Sequence, residues 1–175
     1  MITLVTGGIR NGKSRYALGL ARQCNIPGPK YFLATAEPLD CEMQSRIAKH
    51  QEERAGDFVT IEEPLHLAQA IEKAQRECGV ILVDCLTIWV SNLLFRLADM
   101  PDEIKNEIKS LIQIVELKKT DLIFVTNEVG LGLIPDNPLG RRYIDALGNL
   151  NQRIAHMSDE VVFMVSGIPM RAKPR

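Results

Sequence analysis

The chain has 175 residues, of which 21 are basic and 22 acidic, so its formal net charge is −1, and 46% of its residues are hydrophobic. This length and composition predict a single domain spanning residues 1–175, and the scattered Lys and Arg residues argue against binding to nucleic acid. The apolar runs, such as Val80 to Val83, are much shorter than the ~20 residues needed to cross a bilayer. The first apolar residues run at once into Gly7 and Gly8 rather than following a basic segment, so we expect a cytoplasmic protein without a membrane span.

Five runs rich in Val, Ile and Leu lack the alternation of half-exposed strands and predict strands buried on both faces. They are Ile2 to Thr6, Tyr31 to Ala34, Val80 to Asp84, Asp121 to Thr126 and Glu160 to Val165. The pattern also allows a short strand near Phe58 to Ile61.

Amphipathic stretches between these runs predict helices. They cover Lys13 to Cys24, Cys41 to Arg54, Leu65 to Cys78, Ile88 to Leu97, Asp102 to Lys118 and Arg141 to Met157. Pro and Gly fall between the elements, where they end or turn the chain. Strands and helices that alternate in this way indicate an α/β fold with a mostly parallel sheet flanked by helices.

Cysteine and histidine spacing gives no support for a dedicated transition-metal site. The four cysteines lie at positions 24, 41, 78 and 85. No two of them are spaced as CxxC, and none of His50, His66 and His156 is paired with another at i, i+4. We therefore interpret the cysteines as structural thiols and expect any metal to arrive with a substrate.

A phosphate-binding loop follows the first predicted strand. Residues 7–14 read Gly-Gly-Ile-Arg-Asn-Gly-Lys-Ser and match G-x-x-x-x-G-K-[ST] between a strand and a helix. The glycines let successive N–H groups point inward, and the following helix adds its positive end, so the segment predicts an anion-binding nest. Lys13 would bridge terminal phosphates, and the Ser14 hydroxyl would hold Mg²⁺. The alternative, a glycine-rich turn followed by Lys-Ser by chance, is disfavoured by the position of the motif.

Polar residues follow three other predicted strands, at Thr35, Asp84, Asn127 and Glu128. Ligands of open α/β sheets bind beyond the carboxyl ends of the strands, so we expect these residues to face one crevice with the phosphate loop. Taken alone, an aspartate such as Asp84 is as readily a helix cap as a metal partner.

The predicted helix Cys41 to Arg54 carries His50 between two arginines. Arg46 and Arg54 each lie one turn from it. Two nearby cations favour the neutral imidazole, which is the nucleophilic form, and would offset the charge of an attacked phosphate. Spacing alone leaves a second interpretation open, because a single histidine on such a helix is more often a surface or packed residue.

A series of short segments in a fixed order makes the chain similar to a known family. They are Thr6 to Ser14, Ala34 to Ala36, Glu42-Met43, Arg46-Ile47 with His50, Asp84 to Thr87, Trp89, Asn92 to Leu94, Thr126 to Gly130, Pro135, Arg141-Arg142, Asp145, Gly148, Asn151-Gln152 and Ser166 to Pro169. Through them the chain resembles, along nearly its whole length, the bifunctional adenosylcobinamide kinase/adenosylcobinamide-phosphate guanylyltransferase family of cobalamin biosynthesis. Many families share a phosphate loop, whereas this ordered set is specific.

The resemblance implies an enzyme with two activities. In the first, ATP or GTP gives its γ-phosphoryl group to the hydroxyl of adenosylcobinamide. In the second, GTP transfers GMP to that phosphate, which gives adenosylcobinamide-GDP and pyrophosphate. The family forms a guanylyl-histidine, and the histidine of its Arg-Ile-x-x-His motif corresponds to His50. The implied fold is a P-loop NTPase with a RecA-like sheet, and the implied assembly is a homotrimer.

The resemblance also implies the site residues. His50 and Lys13 would be catalytic, and Ser14 and Asp84 would hold the Mg²⁺ that comes with the nucleotide. The expected nucleotide contacts are Gly7, Gly8, Ile9, Arg10, Asn11, Gly12, Lys13, Ser14, Ala34, Thr35, Ala36, Gln51, Glu52, Glu53, Arg54, Glu62 and Asp84. Glu62 could accept hydrogen bonds from guanine N1–H and N2–H₂, although its position alone indicates a solvated charge.

Three positions depart from the family pattern. Asn11 stands where serine is usual, at a position expected to contribute mainly backbone groups. Ile144 stands where the family often has arginine, which affects how the acceptor of the kinase step is held. Asp84 is glutamate in some relatives, which changes its reach.

Two other functions fit parts of the sequence. A kinase of a small metabolite would use the phosphate loop but would not need His50. A GTP-dependent regulatory switch is less well supported, because the sequence lacks an Asn-Lys-x-Asp segment that reads guanine; Asn127 is followed by Glu128.

Overall fold

The structure is a computed structural model that describes residues 1–38, 40–54, 56–77 and 79–174. In the second helix it describes the backbone but not the side chains of Glu42, Arg46, Lys49, His50 and Glu53. The predictions for the side chains of His50 and Glu53 therefore lie outside the described residues.

A single seven-stranded sheet forms the centre of the molecule. Its strands are β1 (Ile2–Gly7), β2 (Lys30–Ala34), β3 (Val59–Glu62), β4 (Val80–Asp84), β5 (Asp121–Val125), β6 (Glu160–Val165) and β7 (Ile168–Lys173). Their order across the sheet is β3-β2-β4-β5-β1-β6-β7. All neighbours from β3 to β6 are parallel, and β7 pairs antiparallel with β6.

Helices follow most of the strands and cover both faces of the sheet. They are α1 (Lys13–Gln23), α2 (Cys41–Arg54), α3 (Leu67–Ala74), α4 (Leu86–Arg96), α5 (Pro101–Glu116) and α6 (Pro138–Met157). The α/β fold with a mostly parallel sheet and flanking helices is thereby confirmed.

Two apolar layers hold the helices to the sheet. The larger one packs Trp89, Leu111 and Leu147 of α4, α5 and α6 against strand residues such as Phe124. The smaller one places α1, through residues such as Leu18, on the other face. The central strands are buried on both faces, which explains why their sequences show continuous apolar runs.

Helix α2 differs from the other helices. Its described side chains are exposed or half-buried except for Arg54, which is 5% exposed. The helix therefore has little apolar packing, and its last residue is its most deeply placed contact with the sheet.

Strand β7 was not predicted from the sequence. All of its residues are exposed, and it contains Pro169, so it has neither the apolar run nor the alternation of a covered strand. Proline is tolerated there because β7 is an edge strand. The Nζ of Lys173 in β7 donates to the carbonyl oxygens of Ala155, His156 and Ser158 at 3.3, 3.0 and 2.5 Å, and so caps the end of α6.

The largest differences between predicted and observed helix boundaries are in α3 and α6, and the other helix ends differ by at most two residues. Helix α3 begins at Leu67 rather than Leu65 because the carboxylate of Glu63 accepts hydrogen bonds from the N–H groups of Leu65 and His66, which turns the chain before the helix; the helix ends at Ala74. Helix α6 begins earlier, at Pro138, because the side chain of Asn137 accepts a hydrogen bond from Gly140 N at 2.7 Å.

Among the described residues, no helix combines the length and the apolar character that crossing a bilayer would require.

Asp159 fastens the start of β1 at the amino-terminal edge of the sheet. Its Oδ2 accepts a hydrogen bond from Ile2 N at 2.7 Å, and Lys118 Nζ lies 3.3 Å from its Oδ1. The hydrogen bond from the Ile2 N–H group lowers the pKa of Asp159 most, and the Lys118 ammonium lowers it further, so this pKa lies below its usual value. Because the folded pKa lies below the unfolded one, the ionised carboxylate stabilises the fold above the unfolded pKa of ~4, and this contribution is lost as the pH falls through the folded pKa.

We expect Asp159→Asn to lower the free energy of unfolding at pH 7 by about 0.5–1 kcal/mol, a small value because the carboxylate is partly exposed. Below about pH 4 the difference from the parent protein should shrink. Urea unfolding at pH 7 and at pH 3 measures both values. Asp102→Asn is the matched control, since Asp102 pairs with Lys105 on an exposed helix surface. An equal difference at the two pH values would contradict this account.

Candidate active site

The phosphate loop joins β1 to α1 and lies against β6. Gly7 has φ +140°, and a Cβ placed on it would approach Met164 O to 2.5 Å, which leaves no room for a side chain. Gly12 has φ +79°, a left-handed conformation that favours glycine. Two of the three loop glycines are therefore required by the backbone, as expected for a nest of inward N–H groups.

The side chain of Asn11 contributes more than was expected from the sequence. Its Nδ2 donates to Met164 O at 3.2 Å, which fastens the loop to β6. The expectation that this position supplies mainly backbone groups is corrected accordingly. A serine hydroxyl is shorter, so this bond depends on the residue that departs from the family pattern.

Lys13 lies inside the loop. Its side chain is 7% exposed, and its Nζ donates to Gly8 O at 2.5 Å. Burial lowers the pKa of Lys13, while the nearby negative charge of Asp84 acts in the opposite direction. The ammonium is therefore held against the backbone of the loop.

The loop opens into a cavity of about 430 Å³. Its walls are formed by Arg10, Asn11, Gly12, Lys13, Ser14, Arg15, Ser166 and Gly167. Three of these residues are cationic and none is acidic, so the cavity has the charge of an anion site. Ile9, another expected contact, is 76% exposed and does not line the cavity.

Thr35 and the end of β4 are tied together at the carboxyl edge of the sheet. Cys85 N donates to Thr35 Oγ1 at 2.8 Å, and Thr35 Oγ1 donates to Cys85 O at the same distance. Burial, together with the charge of Asp84, raises the pKa of the Cys85 thiol to about 12. Cys85 is therefore a neutral thiol at pH 7, and Thr35 acts through its buried hydrogen bonds rather than as an open contact.

The loop after β5 reaches the same edge. Glu128 N donates to Gly7 O at 3.2 Å, which joins this loop to the phosphate loop. Asn127 is held from two sides, because its N–H donates to Thr87 Oγ1 at 2.7 Å and its carbonyl accepts from Asn151 Nδ2 at 3.0 Å. Thr35, Asp84, Asn127 and Glu128 therefore lie at the same edge of the sheet, as expected. Asp84 lines a cavity but Thr35 is fully buried, so the prediction that all four face one crevice with the phosphate loop stays a prediction.

A second, smaller cavity lies between the ends of β2 and β3 and helix α2. Its volume is about 160 Å³. Its walls are Phe32, Ala34, Ala36, Met43, Ile47, Arg54, Glu62, Asp84 and Ile88. Five of these were expected nucleotide contacts, so the fold brings together residues from β2, α2, β3 and β4.

Polar residues of α2 contact β2 and β3 beside this cavity. The guanidinium of Arg54 lies 3.8 Å above the ring centre of Phe32, and Phe32 packs edge-on against Phe58. Gln51 Nε2 is 3.5 Å from Glu62 Oε1, at the limit of a hydrogen bond. Glu52 is exposed and does not line the cavity.

The apolar walls of this cavity were not identified as site residues from the sequence. Phe32 lies within a predicted core strand, and Met43 and Ile47 were recognised only as part of the helix motif. Ile88 begins a predicted helix. Apolar residues give no local sign of whether they pack in the core or line a cavity, so the sequence held no signal that could separate the two.

Among the described residues, no three His, Cys, Asp or Glu side chains are grouped closely enough to hold a metal ion. The oxygen atoms expected to contact Mg²⁺ are the Ser14 hydroxyl at the start of α1 and the Asp84 carboxylate at the end of β4. Hydroxyl and carboxylate oxygens are ligands that suit Mg²⁺.

Comparison with known proteins agrees with these features. A family model described as cobinamide kinase / cobinamide phosphate guanyltransferase matches residues 3–172. The bifunctional adenosylcobalamin biosynthesis protein CobP of Pseudomonas aeruginosa is 40% identical over 173 residues, which cover 99% of this chain and 98% of that protein. The bifunctional adenosylcobalamin biosynthesis protein CobU of Salmonella typhimurium is 39% identical over an alignment of 184 positions, which covers 99% of this chain and all of that protein.

Among solved structures, the flagellar accessory protein FlaH of Methanocaldococcus jannaschii is similar in fold, with a TM-score of 0.53 over 99% of this chain and 78% of that one. The identity is 12%, so this likeness concerns the fold alone. The resemblance seen in the sequence motifs is confirmed, and the chain belongs to the cobinamide kinase / cobinamide phosphate guanyltransferase family.

Proposed function

We propose that this protein phosphorylates adenosylcobinamide with ATP or GTP and then transfers GMP from GTP to the product, giving adenosylcobinamide-GDP and pyrophosphate. One observation carries the proposal: two cavities of different chemistry lie at the same edge of the sheet. Lys13 lines the basic cavity, Asp84 lines the smaller one, and Asp84 is close enough to influence the pKa of Lys13. A nucleotide fits this pair of cavities, because its phosphates match the basic cavity and its aromatic base matches the smaller one.

The phosphates of the nucleotide would bind in the loop formed by residues 7–14. The inward N–H groups and the positive end of α1 supply partial positive charge, and Lys13 supplies a full charge. Ser14 and Asp84 would hold Mg²⁺, which neutralises phosphate charge when bound. In phosphoryl transfer, positioning and charge stabilisation provide most of the catalysis, so we assign no base to the kinase step.

The base of GTP would occupy the smaller cavity. Its largely apolar walls suit the faces of a purine, and Glu62 offers a carboxylate at the edge. The two oxygen atoms of a carboxylate can accept the N1–H and N2–H₂ groups of guanine together. Ala34 and Ala36 leave space beside the strand end that larger side chains would fill.

His50 would carry GMP between the two substrates. A lone pair of its neutral imidazole attacks the α-phosphorus of GTP, the bond to the β-phosphate oxygen breaks, and pyrophosphate leaves with that electron pair. The phosphate of adenosylcobinamide phosphate then attacks the same phosphorus and releases the imidazole. Helical spacing places His50 one turn from Arg54, the residue through which α2 is buried on the sheet.

The acceptor and the assembly form a further part of the proposal. Apolar side chains are exposed along the loop after β5, at the start of α6 and on α4, namely Leu131, Leu133, Ile134, Leu139 and Phe95. An exposed apolar patch of this kind indicates a contact surface. We propose that it lies between subunits of a homotrimer and that the corrinoid binds in a groove between them.

A kinase that lacks the guanylyl transfer is the alternative function. It would use the same phosphate loop and would leave His50 without a role, so the two functions differ in whether the protein becomes covalently labelled.

We expect incubation with GTP labelled at the α-phosphate to leave acid-labile, alkali-stable label on the protein, because a phosphoramidate forms at His50. His50→Ala should lose this label and the synthesis of adenosylcobinamide-GDP while it keeps the phosphorylation of adenosylcobinamide. The matched control is His156→Ala, an exposed position at the far end of α6. Retention of guanylyl transfer by His50→Ala would refute the proposed intermediate.

We expect Lys13→Met to slow both reactions by roughly 100-fold or more, because one preorganised charge that faces the phosphates is removed. Steady-state rates with saturating GTP measure the effect on each reaction. Lys109→Met, at an exposed position of α5, is the control and should leave both rates unchanged. A loss confined to one reaction would mean that the two reactions do not share the phosphate loop.

We expect the parent protein to sediment as a trimer and Leu133→Asp to shift it toward the monomer, since Leu133 is 96% exposed in a single chain and an aspartate would introduce charge at an apolar contact. Leu117→Asp, at an exposed leucine beyond the end of α5, serves as the control. A parent protein that sediments as a monomer would exclude the inter-subunit groove.

A further inference from the structure

Helix α4 directs one line of polar contacts toward the loops that follow β2 and β3. Trp89, Asn92 and Arg96 are three or four residues apart and therefore share a face. Trp89 Nε1 donates to Leu65 O at 2.8 Å, and Arg96 pairs with Glu37 at 2.7 Å. The helix thus holds both loops, and Asn92 lies at the middle of the line.

Asn92 joins the two loops to each other. Its Nδ2 donates to Thr35 O at 2.8 Å and to Pro64 O at 3.2 Å. Both hydrogen atoms of the amide are therefore used, one on each loop. A side chain without a donor would leave the carbonyl groups of the buried Thr35 and the half-buried Pro64 without this partner, which is a costly change.

The two bonds of Asn92 lie just beyond the point where the strands separate. The pairing of β2 with β3 ends at Ala34 and Glu62. Ala36 and Glu62, on opposite sides of this point, are both walls of the 160 Å³ cavity. Ile88, one helical turn before Asn92, is a third wall. Asn92 is therefore placed to fix the distance between the Ala36 wall and the Glu62 wall.

We infer that Asn92 is a positioning residue that holds this gap at the width needed to select guanine over adenine. The inference rests on the proposed function, since it takes the 160 Å³ cavity as the site of the base. It concerns the choice of nucleotide and not the transfer steps, because the two hydrogen bonds that the side chain of Asn92 makes within the described part of the chain both go to the loops after β2 and β3.

Hydrogen-bond geometry explains why the gap affects one base more than the other. Guanine presents two neighbouring donors, N1–H and N2–H₂, which a carboxylate accepts only if both donor–acceptor distances stay near 3 Å. Adenine has an unprotonated N1 and no 2-amino group, so it cannot make this paired contact with Glu62. If the loops move apart, GTP loses a contact that ATP does not make.

The test measures the phosphorylation of adenosylcobinamide with GTP and with ATP in Asn92→Leu and Asn92→Asp, both of which remove the two donors at similar volume. We expect the KM for GTP to rise roughly 10-fold, as for the loss of a hydrogen-bonded contact to substrate, with kcat and the KM for ATP within about threefold of the parent values. The ratio of kcat/KM for GTP to kcat/KM for ATP should fall by the same roughly 10-fold factor.

Arg96→Met is the matched control, because it removes a contact of the same face to the same β2 loop but lies one turn farther along the helix. Its preference between GTP and ATP should match that of the parent protein. Equal rises in KM for GTP and ATP, or a loss of thermal stability with unchanged preference, would overturn the inference and leave Asn92 a purely structural residue.

A second measurement uses the folded parent protein and applies even if neither variant folds. Trp89 is the only tryptophan in the chain, so its indole N–H gives one resonance that reports on the contact with Leu65 O, next to Pro64. GTP should shift this resonance more than ATP, and equal shifts would overturn the inference. Failure of the His50 labelling experiment would instead refute the guanylyl intermediate while leaving this selectivity measurable in the kinase reaction.

Discussion

Parallel strand pairing is the constraint on which the site depends. In the sheet, Ala34 lies beside Asp84, and Asp84 lies beside Val125. The segments that leave β2, β4 and β5 therefore begin next to each other, although they are far apart in the sequence. The segments after β2 and β4 contribute Ala36 and Ile88 to the walls of the smaller cavity. The segment after β5 joins the phosphate loop through the hydrogen bond from Glu128 N to Gly7 O. A shift of one strand by one residue would turn its side chains to the other face and separate these groups.

Polar side chains, rather than apolar packing, hold the loops at this edge. Thr35 exchanges two hydrogen bonds with the backbone of Cys85, and Thr126 donates to Asn151, which in turn donates to Asn127 O. An unmade bond at a buried group costs about 1–3 kcal/mol, so each pair strongly favours one loop position. Hydrogen bonds of this kind fix the loops in place and leave the cavities open, whereas packed apolar side chains would fill the space.

The parts of the fold that the sequence predicted have local signals. The phosphate loop is eight consecutive residues, and the buried strands are continuous apolar runs. The parts that it missed depend on distant partners. Asn11 matters because Met164, 153 positions away, supplies its acceptor. Strand β7 exists because β6 offers an edge, and its own residues carry neither an apolar run nor alternation. The apolar walls of the smaller cavity could not be distinguished from core residues until the fold placed them.

Helix α2 is a weakly packed element whose position depends on its last residue. Its described side chains give it little buried apolar surface, so its position depends on the end where Arg54 lies over Phe32. A displacement of a helix held at one end grows with distance from that end. Position 50 is one turn from Arg54, whereas Cys41, at the start of the helix, lies more than three turns away. In the proposed function, the nucleophile would therefore lie near the held end, where a displacement of the helix is smallest.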